Sequence, residues 1–299
     1  MNLKEELKNK RSTLSDSSIK TYTSILKNIH KKVFPNKEMQ MSDFNNTDEI
    51  LGYLRDSPPN KRKTILSALV ILTGKDDYRD LMNNDVKEYN EQIEKQEMSE
   101  TQRDNWITTE EIETIFKALE NDAKMLFKKS NRTNSDIQQI QNYIIVLLCS
   151  GLFFPPRRSI DWCLMRVRGL DSLDSVNRDE HNYIDKNKFV FNKYKTSKTY
   201  GKRELDIPSQ VKSILNKWIK INNSDYLLYD NNGNPLTSVK LNQRLNRIFG
   251  GKKVGSSMLR HTYLTDKYAE MSRKNKELEK DMSDMGSSMD MVENYVKLK

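Results

Sequence analysis

The segment Ile137–Phe153, IQQIQNYIIVLLCSGLF, constrains this chain more than any other. Apolar residues fall on most sides of the helix it would form. Such a helix persists in water only when protein encloses it, so the domain around it must have a large core. The apolar run Tyr143–Phe154 is broken at Ser150-Gly151 and is far shorter than the roughly 20 residues that cross a bilayer, which argues against a membrane span. Pro155-Pro156 cannot continue the helix and deliver the chain to Arg157-Arg158. Two adjacent cations at the end of a buried helix need an anionic partner.

Helical patterns flank this segment. Upstream, Ser17-Ser18 can cap a helix with Ile19, Tyr22, Ile25, Leu26 and Ile29 on one face, ended by Pro35. A second is expected over Asp48–Arg55, and a third from Lys61 through Ile65, Leu69 and Leu72 to Gly74. Residues 76–100 then hold 3 basic against 9 acidic side chains, a shift that reads as a linker or boundary helix. Thr108-Thr109-Glu110-Glu111 starts another helix, with Ile112, Ile115, Phe116 and Leu119 at helical spacing. With 299 residues there is chain enough for two cores: a helical domain over 1–100, an acidic linker over 76–103, and a larger domain over 104–299.

Downstream the period changes. Tyr183-Ile184 and Lys188–Tyr194 read as strands, followed by a polar turn Lys195–Gly201 and a returning strand Lys202–Ile207. Helices follow over Ser209–Ile221, through Leu241, Leu245 and Ile248 to Gly250-Gly251, from Ser256 through Arg260 and Leu264, and over Met289–Val296. The expected fold class is mainly α, with a small antiparallel β-sheet in the second domain. Trp106, Trp162, Trp218 and His261 are expected to pack in the core.

Residues 101–299 carry 34 basic against 25 acidic side chains, which accounts for the whole net charge of +9 and favours a polyanionic partner. Lys61, Arg62 and Lys63 form a second basic cluster that could grip phosphates. Cys149 and Cys163 make no CxxC pair, and His30, His181 and His261 are scattered, so neither a disulfide framework, a metal site nor a cofactor is expected. The N-terminal MNLKEELKNKR lacks the apolar core of a secretion signal, which points to an intracellular location.

The residues that carry chemistry are spread along the second domain. Cleaving a phosphodiester without a metal requires a nucleophile, fixed cations for the charge that develops on the phosphate oxygens, and an acid for the leaving oxygen. Arginine suits the clamp because its planar fork bonds two phosphate oxygens and stays charged, and a lysine can donate the proton. The chain presents in order an arginine, a lysine in a β-turn, a second arginine and a tyrosine: Arg158, Lys195, Arg260 and Tyr295.

In this order the sequence resembles the tyrosine recombinases, or phage-type integrases, and is most similar to the divergent versions found in viruses and mobile elements of eukaryotes. Ser150-Gly151-Leu152 followed by Arg158-Ser159-Ile160-Asp161 looks like the family's first box, whose arginine precedes an acidic residue by three positions, which selects Arg158 over Arg157. Tyr194-Lys195-Thr196 looks like the hairpin that presents the catalytic lysine, with Lys198 as the competing candidate. Ser257-Met258-Leu259-Arg260-His261-Thr262 resembles the second box, and Met285-Gly286-Ser287-Ser288-Met289 with Tyr295 the closing one. Two departures stand out: Ser257 occupies the first histidine position of the second box, and Gly286, beside Ser287, occupies the usual His or Trp position of the closing box.

The resemblance implies a helical core-binding domain and a mostly helical catalytic domain clamping double-stranded DNA, with no small-molecule substrate. Tyr295 would form a 3′-phosphotyrosyl link, Arg158 and Arg260 would stabilise the transition state, and Lys195 would protonate the departing 5′ oxygen. It further implies a homotetramer on DNA, integration or recombination of a viral or mobile element, and a location in the nucleus or a cytoplasmic viral factory. A type IB topoisomerase and a catalytically weakened DNA-binding protein of the same fold are the alternatives, the second motivated by Ser257 and Gly286.

Overall fold

In the computed structural model, which describes residues 2–170 and 178–297, the chain folds as two units, Met1–Met98 and Ser99–Lys299. The first contains helices α1 (Leu3–Lys10), α2 (Asp16–Val33), α3 (Thr47–Leu54), α4 (Pro59–Thr73) and α5 (Asp76–Glu94). Local chemistry sets their ends: the Ser15 side chain accepts from the Ser18 N–H at the start of α2, Pro59 occupies the first turn of α4, and Gly74 closes α4 at φ 73°. Leu7, Leu26, Phe44, Ile50, Leu54, Leu66, Leu69 and Tyr78 are among its buried core residues.

Of the two readings of the acidic stretch, a linker or a boundary helix, the structure has the helix. Residues 76–94 are helix α5, an integral part of the first unit. Tyr78, Leu81, Met82 and Asp85 recur at helical spacing on its inner face; the Tyr78 hydroxyl donates to Phe44 O (2.9 Å), and Asp85 takes both Arg62 Nε (2.9 Å) and Nη2 (2.6 Å). Its acidic residues sit mainly on the solvated side, so their count said nothing about the face that packs. A second buried carboxylate, Asp43, accepts from Gln40 N–H (2.8 Å), lies 3.0 Å from His30 Nε2 and pairs with Lys37. Lys37 first, then the Gln40 N–H, hold its pKa down at about 2, against the opposing effect of burial.

The second unit contains α6 (Glu100–Asp104), α7 (Thr109–Lys128), α8 (Asn134–Cys149), α9 (Ser159–Cys163), α10 (Ser197–Tyr200), α11 (Ser209–Ile221), α12 (Ser238–Ile248), α13 (Ser256–Asp284) and α14 (Val292–Tyr295). Reciprocal caps start α7, through Thr108 and Glu111, and α8, through Thr133 and Asp136. Helix α8 is the axis of the core: every residue from Tyr143 to Cys149 is buried. Strands β1 (Met165–Arg166), β2 (Asn182–Asp185), β3 (Lys188–Phe191) and β4 (Arg203–Asp206) form one sheet in that order. It is antiparallel from β2 to β4, and β1 adds a short parallel edge.

Trp162 and Trp218 are fully buried and Trp106 packs partly buried against the same core. The Trp162 ring meets Phe189 and Phe191 edge-on at 5.0 and 5.3 Å between centroids, fastening α9 to the sheet. His261 is exposed instead of packed; Thr262 takes the buried position beside it and donates to Ile107 O (2.8 Å). No helix among the described residues is long and apolar enough to cross a membrane, and none of their His, Cys, Asp and Glu side chains cluster as a metal site would require.

Candidate active site

Three neutral ties bring distant segments of the second unit together. The first is Gly151, at φ 90°, where a Cβ would lie 2.9 Å from the Tyr263 ring and 3.3 Å from Pro156. Only glycine lets the end of α8 approach α13 this closely. The second is a serine pair: Ser159 N–H donates to Ser256 Oγ (3.1 Å), the two hydroxyls lie 2.9 Å apart, and Ser159 Oγ donates to Asn242 Oδ1 (2.8 Å). Ser159 follows Arg158 and Ser256 precedes Arg260 by one helical turn, so this pair sets one arginine relative to the other.

The third tie is Asn182, fully buried on β2. Its amide nitrogen donates to Asp161 O (2.9 Å) and Lys193 O (2.8 Å), while its oxygen accepts from the N–H groups of Asn192 (2.9 Å) and Lys193 (2.8 Å). All the polar capacity of one side chain therefore joins α9 to the loop that leaves β3. That loop carries Tyr194, Lys195 and Thr196 before the single turn α10.

The ties shape an open cleft of about 450 Å³ whose lining includes Arg157, Arg158, Asp161, Tyr194, Arg203 and Arg260. Arg157 is committed: its Nε donates to Asp161 Oδ2 (3.0 Å) and its guanidinium lies 3.8 Å from the centre of the Phe191 ring. Asp161 is buried, and its Oδ1 has no partner among the described residues. Burial pushes its pKa up, against the pull of Arg157 first and of Arg158 and Arg260 after it. The Arg158 and Arg260 side chains make no hydrogen bond or ion pair among the described residues, although both act on Asp161 through space. Two half-buried guanidinium groups, about a hundred residues apart in sequence, thus face the same cleft uncommitted.

No family model matches this sequence, and no curated protein does. Among solved structures, lambda integrase (residues 75–356) bound to DNA aligns with it over 92% of this chain and 89% of that chain, at 15% identity and a TM-score of 0.45.

Lys195 and Lys198 are both exposed and neither is among the residues that line the cleft, although the chain neighbours of Lys195, Tyr194 and Thr196, are. Ser257 is exposed three residues before Arg260, on the same face of α13. Gly286 has a structural duty: at φ 71° it closes α13, with the Ser287 N–H donating to Met282 O (2.8 Å).

Tyr295 is not brought to the arginines. Arg260 lies in the second turn of α13, which continues to Asp284, about 36 Å further along at 1.5 Å per residue. The Gly286 turn and the helical residues 289–295 allow the chain to return by only roughly 17 Å. Tyr295 accordingly does not line the cleft, is 55% exposed, and makes no hydrogen bond among the described residues.

In the first unit only Lys61 of the basic triplet is exposed and uncommitted. Arg62 is tied to Asp85 and to Arg55 O (3.1 Å), and the Lys63 ammonium sits over the Tyr89 ring, with burial lowering its pKa. Sequence reading missed Arg203, the cleft's fourth arginine. It was hidden in the returning strand, where strand alternation shows that a side chain faces one side of the sheet but not that this side is the cleft. Its register opposite Phe191 is the information that places it.

Proposed function

We propose that this chain binds duplex DNA and cleaves and rejoins its backbone in the manner of a tyrosine recombinase. The observation that carries the reading is the pair Arg158 and Arg260, held by neutral hydrogen bonds in one cleft and forming no ion pair among the described residues, since the cleft's carboxylates are engaged by others, Asp161 by Arg157 and Glu204 by Lys188 and Lys202. A phosphodiester in that cleft would receive two planar forks, and the charge growing on its non-bridging oxygens would meet donors already in place. Lys195, next in the chain to two residues of the cleft, would supply a proton to the departing 5′ oxygen. Tyr295 would attack phosphorus and retain the phosphate as a 3′-phosphotyrosyl ester. Return of the 5′ hydroxyl, or attack by one from another strand, would release the tyrosine and restore the phosphodiester, so bond energy is conserved through the cycle.

Because Tyr295 stands outside the cleft, the reading requires the segment beyond Asp284 to move when DNA is bound or to come from a second protomer. Assembly on two DNA sites by four protomers, and integration of a mobile element, belong to the same proposal. The position of Tyr295 and the capping duty of Gly286 favour a second reading, a DNA-binding protein of this fold that no longer cleaves.

Covalent trapping separates the two. Nicked duplexes drawn from a random pool selected for binding to this protein are incubated with it, denatured, and examined for a slowly migrating adduct. We expect an adduct with the wild type, none with Tyr295→Phe, and a loss of at least about 100-fold with Arg158→Ala. Binding without any adduct in the wild type would establish the second reading.

A further inference from the structure

Beyond Ala269 the long helix α13 leaves the core: from residue 270 to 281 only Ser272 and Leu278 are less than fully exposed. Its apolar residues are nevertheless ordered. Leu264, Tyr268, Met271, Asn275, Leu278 and Met282 follow one another at intervals of four and three, which is the 3.5-residue repeat of a coiled-coil seam. Leu264 is 51% exposed, Tyr268 38% and Met271 56%, whereas Met282 is buried. The seam is therefore open from Leu264 to Asn275, with Leu278 half covered.

We propose that this seam pairs with the same seam of a second copy, as a short parallel, in-register coiled coil. Two features select that occupant. With Tyr268 and Asn275 at a positions, Lys274 falls at g and Glu279 at e; in a parallel pair each Lys274 faces the partner's Glu279, twice by symmetry, and Lys267 faces the uncharged Ser272. No like charges are opposed. Asn275 itself would meet its own copy in the parallel register, whereas in an antiparallel pair it would face an apolar residue, so one polar core position specifies orientation. The existing Lys274–Glu270 contact (3.3 Å) lies within one helix, is exposed at both ends and competes little.

Two open heptads bury less than about 1,200 Å², the range of weak and transient interfaces, so the association is expected to show at high protein concentration. The proposal does not depend on what the arginine cleft does. It adds a contact surface and its partner, a second copy of this chain.

The test is sedimentation equilibrium of the full chain over a wide concentration range. Wild type should dimerise. Lys274→Glu and Glu279→Lys, both on exposed positions, should each weaken self-association about tenfold, and an equimolar mixture of the two should recover it, because the mixed pair restores opposite charges. Met271→Lys should abolish it. Orientation is read by Asn275→Cys under mild oxidation: Cys149 and Cys163 are buried, so a covalent dimer reports the new thiol, and Arg273→Cys on the outer face should form none. A wild type that stays monomeric, or charge variants whose mixture associates no better than either alone, would overturn the proposal. A covalent dimer from Arg273→Cys equal to that from Asn275→Cys would overturn the parallel register.

Discussion

Arg157 and Arg158 share a dipeptide, yet one is bound into the protein and the other faces open space. Arg157, one helical turn before Asp161, holds that buried carboxylate and stacks on Phe191. Arg157→Ala would leave the carboxylate buried and unpaired, at a cost of about 3 kcal/mol in denaturant unfolding near neutral pH. Asp161 already has a raised pKa in the folded state, and losing Arg157 raises it further, so the folded protein binds the proton more tightly than the unfolded chain does. The deficit should therefore be full above the folded pKa and shrink as the pH falls toward the ordinary carboxylate value of 3.8. Arg158→Ala and Arg260→Ala remove no hydrogen-bonded or ion-paired side chain, so each should leave stability within about 0.5 kcal/mol while weakening the DNA binding proposed for the cleft. Measuring both properties on the three variants tests the division of roles. The sequence displayed the Arg158–Asp161 spacing but not the Arg157–Asp161 pair, which depends on the direction in which α9 turns. Nor could it show Asn182, whose work is done entirely through backbone groups of other segments.

At the scale of elements, the approach of α8 to α13 rests on Gly151. Gly151→Ala combines a left-handed backbone with a Cβ pressed on Tyr263, and should cost about 1–3 kcal/mol in thermal or denaturant unfolding. Weakened phosphate binding should accompany it, since both arginines hang on that contact. Helix starts are legible only in part: Thr108 marks the start of α7 in the sequence and performs it in the structure, whereas α2 is capped by Ser15 and not by the expected Ser17-Ser18, α4 begins at Pro59 and not at Lys61, and the Thr133 cap of α8 lies ahead of the apolar run by which that helix is recognised. The length of α13 was not. Between Ser256 and Asp284 there is neither Gly nor Pro to interrupt a helix, but periodicity alone does not say whether a helix that leaves the core will continue. The absence of Tyr295 from the lining of the cleft that holds Arg158 and Arg260 is consistent with that continuation, and the order of residues along the sequence does not by itself show which of them share a cleft. The segment Lys195–Gly201 reads in the sequence as a polar turn, whereas the structure places the helical turn α10 within it, between the paired residues Phe191 of β3 and Arg203 of β4.

For the whole molecule, the two units rest on different kinds of buried polarity. The first contains the charged cluster of Asp43, Lys37 and His30. Because the folded pKa of Asp43 is depressed to about 2 from 3.8, its contribution, up to about 2 kcal/mol, is present above pH 4 and lost as the pH falls toward 2. Asp43→Asn should accordingly lower stability at pH 6 by that amount, and the difference from wild type should vanish near pH 2, as followed by circular dichroism during acid titration. The arginine cleft of the second unit is tied by Gly151, Ser159, Ser256, Asn242 and Asn182, none of which titrates, together with one ion pair, Arg157 with the buried Asp161. Neutral ties do not respond to the ions around them, and a pair with a buried carboxylate is screened far less than an exposed charge. Salt should therefore screen the attraction between the cleft and the phosphate proposed to enter it while leaving the geometry of the cleft unchanged, so that ionic strength would act on this molecule as a dial for occupancy and not for shape.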